Sequence, residues 1–309
     1  MYLGNFINNI NKNFHKVYFS GVTFNSKKVK KDNIFFAIKG NKDDGNIYIS
    51  DAIKKGAKVI ISEKNIKLKN KDVIFIKKKN PRKLLAEISY KLINKKPKNL
   101  IAVTGTNGKS SIANFYYQIL TLNKKKAATI GTLGVRSKEI NFNLSNTTID
   151  PIQLGQILKN FKTNKIDNVI MEASSHGLEQ NRLDGLVFNS GIFSNLSQDH
   201  LDYHKNLKDY LRAKLYLFKS LIKKKGNIIT DPTIPEFTQI KKIAKKRGLI
   251  LNTIEGKNEK LKILAHSFYN ESQILKLKYK NIIENIKINL IGKIQIKNIL
   301  MALIAAKKS

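Results

Sequence analysis

I-A-V-T-G-T-N-G-K-S-S, Ile101 to Ser111, is the stretch that decides the fold. An apolar, β-branched run reaches Thr104 and stops at a turn bracketed by Gly105 and Gly108. Lys109, Ser110 and Ser111 then open a helical pattern. Strand, glycine turn and helix in that order form a phosphate cradle. Backbone N–H groups across Gly105, Thr106, Asn107 and Gly108 face phosphate oxygens, and the helix adds its positive N-terminal end. Lys109 is placed to reach β- and γ-phosphates, and the Ser110 hydroxyl to hold Mg²⁺. Val103 stands where the longer form of this loop has its first glycine, so the loop is a shortened variant. An ordinary strand-turn-helix corner is the plain alternative. The ordered set of strand, glycines, lysine and hydroxyl favours the cradle.

Working outward, strands and helices alternate from Leu100 onward. The strands are expected at 100–104, 127–131, 168–173, 187–196 and 227–230, with helices after the loop, from Pro151 and over 207–221. Such alternation predicts a mostly parallel sheet with ligands at its carboxyl ends. Beyond Lys260 the pattern becomes strand pairs (261–268, 274–279, 286–290), an antiparallel appendage, followed by a helix from Gln295. Toward the N-terminus, residues 1–97 read as a small α/β unit. Its strands are expected at 17–24, 33–38, 58–62 and 73–77, its helices at 47–55 and 82–92. Pro97 marks the linker. The expected class is α/β: a small N-terminal domain (1–97), then a central phosphate-loop domain (98–309) with an antiparallel appendage.

The 309 residues carry 58 Lys and Arg against 22 Asp and Glu, a net charge of +36. That balance raises nucleic acid as a partner. Yet only five of the 58 are arginine, the residue that forks onto guanine and phosphate, and the lysines are spread through every segment. The charge therefore reads as compositional bias with a general pull on polyanions, and no nucleic-acid partner is expected. A nucleic-acid-stimulated ATPase stays as a remote alternative. There is no cysteine, which excludes disulfides and thiol chemistry. No secretory leader or membrane-length apolar run is read, so a cytoplasmic protein with no membrane partner is expected.

Three further clusters follow predicted strands. Asn146, Thr147 and Thr148 precede the Pro151 helix and by themselves are equally a helix cap. M-E-A-S-S-H-G-L-E-Q-N-R (171–182) puts Glu172 at a strand end beside the phosphate loop. There a carboxylate suits Mg²⁺, with a capping acid as the alternative. Ser174, Ser175, Gln180 and Arg182 suit a polar or anionic substrate. N-L-S-Q-D-H-L-D-Y-H (195–204) interleaves His200 and His204 with Asp199 and Asp202, a mixture that serves a metal or proton transfer.

These clusters, in this order and spacing, resemble the Mur ligase family, and within it the branch that adds the third residue of the peptidoglycan stem peptide. The family's G-T-N-G-K-[ST]-[ST], N-T-T, M-E-x-S-S-H-G-L-x-Q-x-R and N-L-x-x-D-H-L-D-Y-H stand at 105–111, 146–148, 171–182 and 195–204. The resemblance implies an ATP- and Mg²⁺-dependent amide ligase working through an acyl phosphate. Its partners would be UDP-N-acetylmuramoyl-dipeptide and an amino acid, lysine or meso-diaminopimelate. It implies Ser26 as a uridine-side contact, within Asn25-Ser26-Lys27 where the family has D-S-R, and the loop 39–45 near the uracil. Asn146, Thr147, Thr148, Ser174, Gln180 and Arg182 would contact the muramoyl peptide. Glu172 and His200 would ligate Mg²⁺, and Lys214 would be carbamylated to hold a second ion. Without the resemblance, Lys214 reads as a surface helix lysine. Only two of the family's three domains are read, ending near the segment 292–298. A binder that needs a missing C-terminal domain or a partner chain is therefore the alternative function.

Overall fold

The computed structural model describes residues 1–309 except 41–42, 67, 69, 200–202, 255–260, 270–271, 280 and 290–291. The chain divides into two compact units. One comprises Met1–Asn94, Asp150–Lys159 and Gln180–Leu186; the other comprises Lys95–Ile149, Asn160–Glu179 and Val187–Ser309.

In the first unit, β1 (Gly21–Thr23), β2 (Asn33–Ala37), β3 (Ala57–Ser62) and β4 (Ile74–Lys77) make an all-parallel sheet in sequential order. Helices α1 (Ile49–Lys54) and α2 (Pro81–Lys91) complete the unit. Alternation sorts its side chains into two cores. Ile34, Phe36, Val59 and Ile61 pack with Leu85 and Ile88 of α2, while Phe35, Ala37 and Ile60 pack with Ile49 and Ala52 of α1. Asn80 caps α2 by accepting from the Lys83 N–H at 2.9 Å, with Pro81 at the first helical position.

The second unit contains β5 (Asn99–Thr104), α3 (Lys109–Leu122), β6 (Ala127–Gly131), β7 (Gly134–Arg136) and β8 (Asn141–Phe142). Helix α4 (Pro151–Thr163) is divided between the two units. There follow β9 (Asn168–Glu172), α5 (Ser175–Glu179), β10 (Phe188–Phe193), α6 (Leu207–Tyr216), β11 (Ile222–Thr230), α7 (Phe237–Arg247) and β12 (Ile250–Thr253). The strands order as β12-β11-β10-β5-β9-β6-β7-β8, parallel as far as β6 and antiparallel through β7 and β8. The chain leaves β5 for β6 on one side and later passes from β9 across β5 to β10 on the other, so the strand order reverses at β5. That is where a doubly wound sheet opens a crevice at its carboxyl ends. A separate antiparallel sheet, β13 (Leu261–Tyr269), β14 (Ser272–Tyr279) and β15 (Ile282–Ile288), precedes α8 (Lys293–Lys307). Leu275 and Leu277 join Ile112, Tyr116 and Leu120 of α3 and Leu300 and Ile304 of α8 in one hydrophobic core of this unit.

Several expectations shift. The first strand is three residues long and not eight. β15 begins at Ile282 because it pairs with Tyr279 directly across the turn. The helix expected to run to Leu221 ends at Tyr216, and Leu217–Leu221 is a π-helical turn. Among the described residues no helix is long and apolar enough to cross a membrane.

Candidate active site

The phosphate loop sits at the reversal point, between β5 and α3. Gly105 and Gly108 have φ of +148° and +86°, values that side chains rarely allow. At Gly108 a Cβ would lie 2.6 Å from Asn298 Oδ1, so α8 presses a buried amide onto the loop. The loop is clamped from the β10 end. Asn195 accepts from the Asn107 N–H at 2.9 Å and its carbonyl takes the Thr106 N–H at 2.9 Å, while Ser194 Oγ donates to the Asn107 carbonyl at 2.6 Å. Thr106 Oγ1 takes the Ser197 N–H at 3.0 Å. The Thr106 and Asn107 N–H groups, expected to face phosphate, are thus engaged by Asn195 and fix the shape of the loop instead.

Two lysine side-chain nitrogens converge on one carbonyl. Lys109 Nζ donates to Gly105 O at 3.0 Å and to Thr106 O at 2.7 Å; Lys214 Nζ donates to Gly105 O at 2.7 Å. Lys214 is buried, 1% exposed, with its amine 4.1 Å from the Tyr210 ring centre. Burial first, and the neighbouring Lys109 cation second, push its pKa down to about 6. Burial also lowers Lys109, against the opposing pull of Glu172 and Asp199. The surface position read for Lys214 from sequence alone is corrected here. The apolar stripe of α6 carries Tyr210, Ala213, Lys214 and Leu215 inward together.

Glu172, 3% exposed at the end of β9, accepts from Ser110 Oγ at 2.9 Å, from the Thr132 N–H at 3.0 Å and from Thr132 Oγ1 at 3.1 Å. A serine hydroxyl against a buried carboxylate is the hard-oxygen pair that Mg²⁺ takes. Ser111 is half-buried one position further along α3. Thr148 is buried; its hydroxyl donates to Glu172 O at 3.0 Å and accepts from the Ser174 N–H at 3.0 Å. Thr147 Oγ1 lies 3.0 Å from Thr132 Oγ1, whereas Asn146 is exposed and contacts Ser145. Thr104 Oγ1, at the end of β5, and Ser175 Oγ, at the start of α5, are buried with no hydrogen-bond partner among the described residues. Unsatisfied buried hydroxyls there fit a site shaped for a polar ligand.

The second unit thus brings Lys109, Ser110, Glu172, Lys214, Thr147, Thr148 and Ser174 to neighbouring strand ends. Gln180, Arg182 and Ser26 belong to the first unit. There Arg182 donates to Gln180 Oε1 at 2.7 and 3.2 Å, and its carbonyl takes the Tyr90 hydroxyl at 2.6 Å. Ser26 is buried in a turn capped by Asn25 and bonds the Asp51 carboxylate. His200 and Asp202, and residues 41–42 of the 39–45 loop, lie outside the described residues. His204 is buried with Nδ1 3.3 Å from Glu179 Oε2. Among the described residues no three His, Asp or Glu side chains gather as a metal cluster. Sequence reading gave no role to Thr132, Asn195, Ser194 or Asn298, which grip the loop and Glu172. Asn195 opens the 195–204 motif and Asn298 closes the 292–298 segment, whereas Ser194 just after β10 and Thr132 just after β6 carry no signal but position.

The family model described as Mur ligase middle domain matches residues 103–306, and that described as Mur ligase family, catalytic domain, matches 18–91. The chain is 37% identical over 295 residues to a UDP-N-acetylmuramoyl-L-alanyl-D-glutamate–2,6-diaminopimelate ligase of Rickettsia montanensis, covering 94% of this chain and 60% of the relative. It is 38% identical to the Rickettsia prowazekii ligase of the same name, covering 95% and 62%. A solved structure of a ligase of that name superposes with TM-score 0.83 at 26% identity, over 97% of this chain and 61% of the other. The ADP complex of a Thermotoga maritima MurF ligase shares the fold, with TM-score 0.62 at 18% identity. The chain spans about 60% of the length of the curated relatives it matches. With the middle-domain model covering most of its length, the chain belongs to the Mur ligase family.

Proposed function

We propose that this chain supplies the nucleotide-handling part of an ATP-dependent ligase acting on UDP-N-acetylmuramoyl-L-alanyl-D-glutamate in the cytoplasm. The incoming amine is 2,6-diaminopimelate, in keeping with the names of its relatives. Residues 1–97 take the uridine end, with Ser26 as a contact, and 98–309 bind ATP. The observation that carries this reading is the pair of lysine amines on Gly105 O beside the Ser110–Glu172 pair.

The N–H groups at the start of α3 and the positive end of that helix hold the phosphates, and Lys109 leaves its loop carbonyls to neutralise charge on the γ-phosphoryl. Ser110 and Glu172, with His200, hold Mg²⁺, which when bound supplies Lewis-acid stabilisation of phosphoryl oxygens. Asn146, Thr147, Thr148 and Ser174, together with Gln180 and Arg182, orient the dipeptide. Its carboxylate oxygen attacks the γ-phosphorus, ADP leaves, and an acyl phosphate forms. The amine nitrogen then attacks the acyl carbon and loses a proton as the C–O bond to phosphate breaks. Thr132 and Ser110 keep the Glu172 carboxylate oriented through both steps. Lys214, buried and with its pKa near 6, presents the neutral amine that reacts with carbon dioxide. The resulting carbamate is a second carboxylate for metal.

Calorimetric titration of ADP onto the chain, with and without Mg²⁺, tests the nucleotide site. Binding that strengthens with Mg²⁺ is expected; no binding in either condition refutes it. Isotopically labelled bicarbonate followed by carbon NMR should show a carbamate resonance that Lys214→Met lacks.

A further inference from the structure

Thr132 stands in the turn just after β6 and touches two groups that the proposed function keeps apart. Its backbone N–H and its hydroxyl grip opposite oxygens of the Glu172 carboxylate, at 3.0 and 3.1 Å. The same hydroxyl oxygen lies 3.0 Å from Thr147 Oγ1. Gly131, the residue before it, has no room for a side chain, since a Cβ there would run into Glu172. The end of β6 is therefore fitted around that carboxylate.

Proton counting gives the contact a direction. An ionised carboxylate accepts only, so Thr132 must give its one hydroxyl proton to Glu172. Thr147 must then give its own proton to the Thr132 oxygen. The chain runs Thr147 to Thr132 to Glu172, and each link polarises the next. It leaves Thr147 as an acceptor toward whatever docks on it, an N–H or O–H of the ligand. A second tie is independent of this one: the Thr148 hydroxyl on the Glu172 backbone carbonyl anchors the same turn and does not involve the carboxylate.

We propose that Thr132 is a positioning residue that couples the 146–148 turn to the carboxylate holding the cation, so that a ligand donating to Thr147 tightens Mg²⁺-nucleotide binding, and the reverse by linkage. This rests on the proposed nucleotide and dipeptide sites.

The test is calorimetric titration of Mg²⁺–ADP onto the 309-residue chain, with and without saturating UDP-N-acetylmuramoyl-L-alanyl-D-glutamate. It is run on the wild type, Thr132→Val, Thr132→Ser and Thr147→Val, with melting temperatures alongside. The wild type should bind Mg²⁺–ADP at least about fivefold more tightly with the dipeptide present, the low end of measured couplings. Thr132→Val and Thr147→Val should bring that ratio near one, and Thr132→Ser should restore it. A merely structural role would lower the melting temperature and leave the ratio in place. An unchanged ratio in Thr132→Val overturns the coupling while the nucleotide site stands, as does a wild-type ratio of one. Should Thr132→Val not fold, an unchanged ratio in Thr147→Val overturns it equally. A wild type that binds no Mg²⁺–ADP overturns this inference and the proposed function together.

Discussion

The molecule carries one all-parallel and one mostly parallel sheet, and their carboxyl ends are finished in opposite ways. In the first unit the polar groups close on one another locally. Asn25 accepts from the Lys27 N–H, Ser62 Oγ donates to Asn46 Oδ1 at 2.6 Å, and Asp44 takes the Asn46 amide and pairs with exposed Lys64 at 2.9 Å. The Asn46 side-chain amide, its backbone N–H and Lys64 hold the Asp44 carboxyl well below the usual range. In the second unit the strand ends bury ionisable groups: Glu172 is 3% and Lys214 1% exposed. Burying such a charge costs several kcal/mol unless it is partnered or neutralised. A parallel sheet offers a rim whatever it does. What separates a recognition surface from a reaction centre is where the fold accepts that cost.

Lys214→Met gives the sharpest contrast. The folded amine titrates near 6 and the unfolded one near its ordinary 10.5, so between those values the unfolded chain binds more protons. Stability from this residue rises with pH from 6 to 10.5 and is lost as pH falls toward 6. The slope reaches about 1.4 kcal/mol per pH unit, roughly 4 kcal/mol over three units. In carbon dioxide-free buffer, denaturant titrations should show the variant gaining on the wild type by that order between pH 9 and 6. Parallel curves would erase the distinction between the rims.

Glu172→Gln comes next, removing the carboxylate proposed for the cation. The Mg²⁺-dependent gain in ADP affinity should fall by about 100-fold, near 3 kcal/mol, in the range of a lost charge-assisted contact. Lys109→Met should weaken ADP binding about tenfold to 100-fold at low salt, less at high salt. At the other rim, Ser26→Ala should change affinity for the UDP-linked dipeptide about tenfold or less and leave ADP binding alone. Smallest of all, Lys64→Met breaks an exposed pair and should shift stability within about 0.5 kcal/mol, with no change of pH slope above pH 6.

The phosphate loop was legible because its chemistry requires named residues at fixed spacing, and β2, β3 and β6 were legible because apolar runs end at polar turns. Helix α7 went unread: Phe237, Ile240 and Ala244 give its stripe, but lysines at 241, 242, 245 and 246 mask it. The β7–β8 hairpin and β12 are too short to show a period. Burial of Lys214 has no local signal, since a lysine within an amphipathic helix reads as solvated; the motif resemblance alone singled it out. The grip of Thr132 on Glu172 depends on β6 lying beside β9, a neighbour relation that only strand order creates.

Gly105 O, bonded by both Lys109 and Lys214, acts as a resident surrogate for an incoming anion. Ligand entry is then an exchange reaction and not an addition. Its affinity measures the difference between two occupied states, and inorganic sulfate or phosphate should compete by offering Lys109 the same trade.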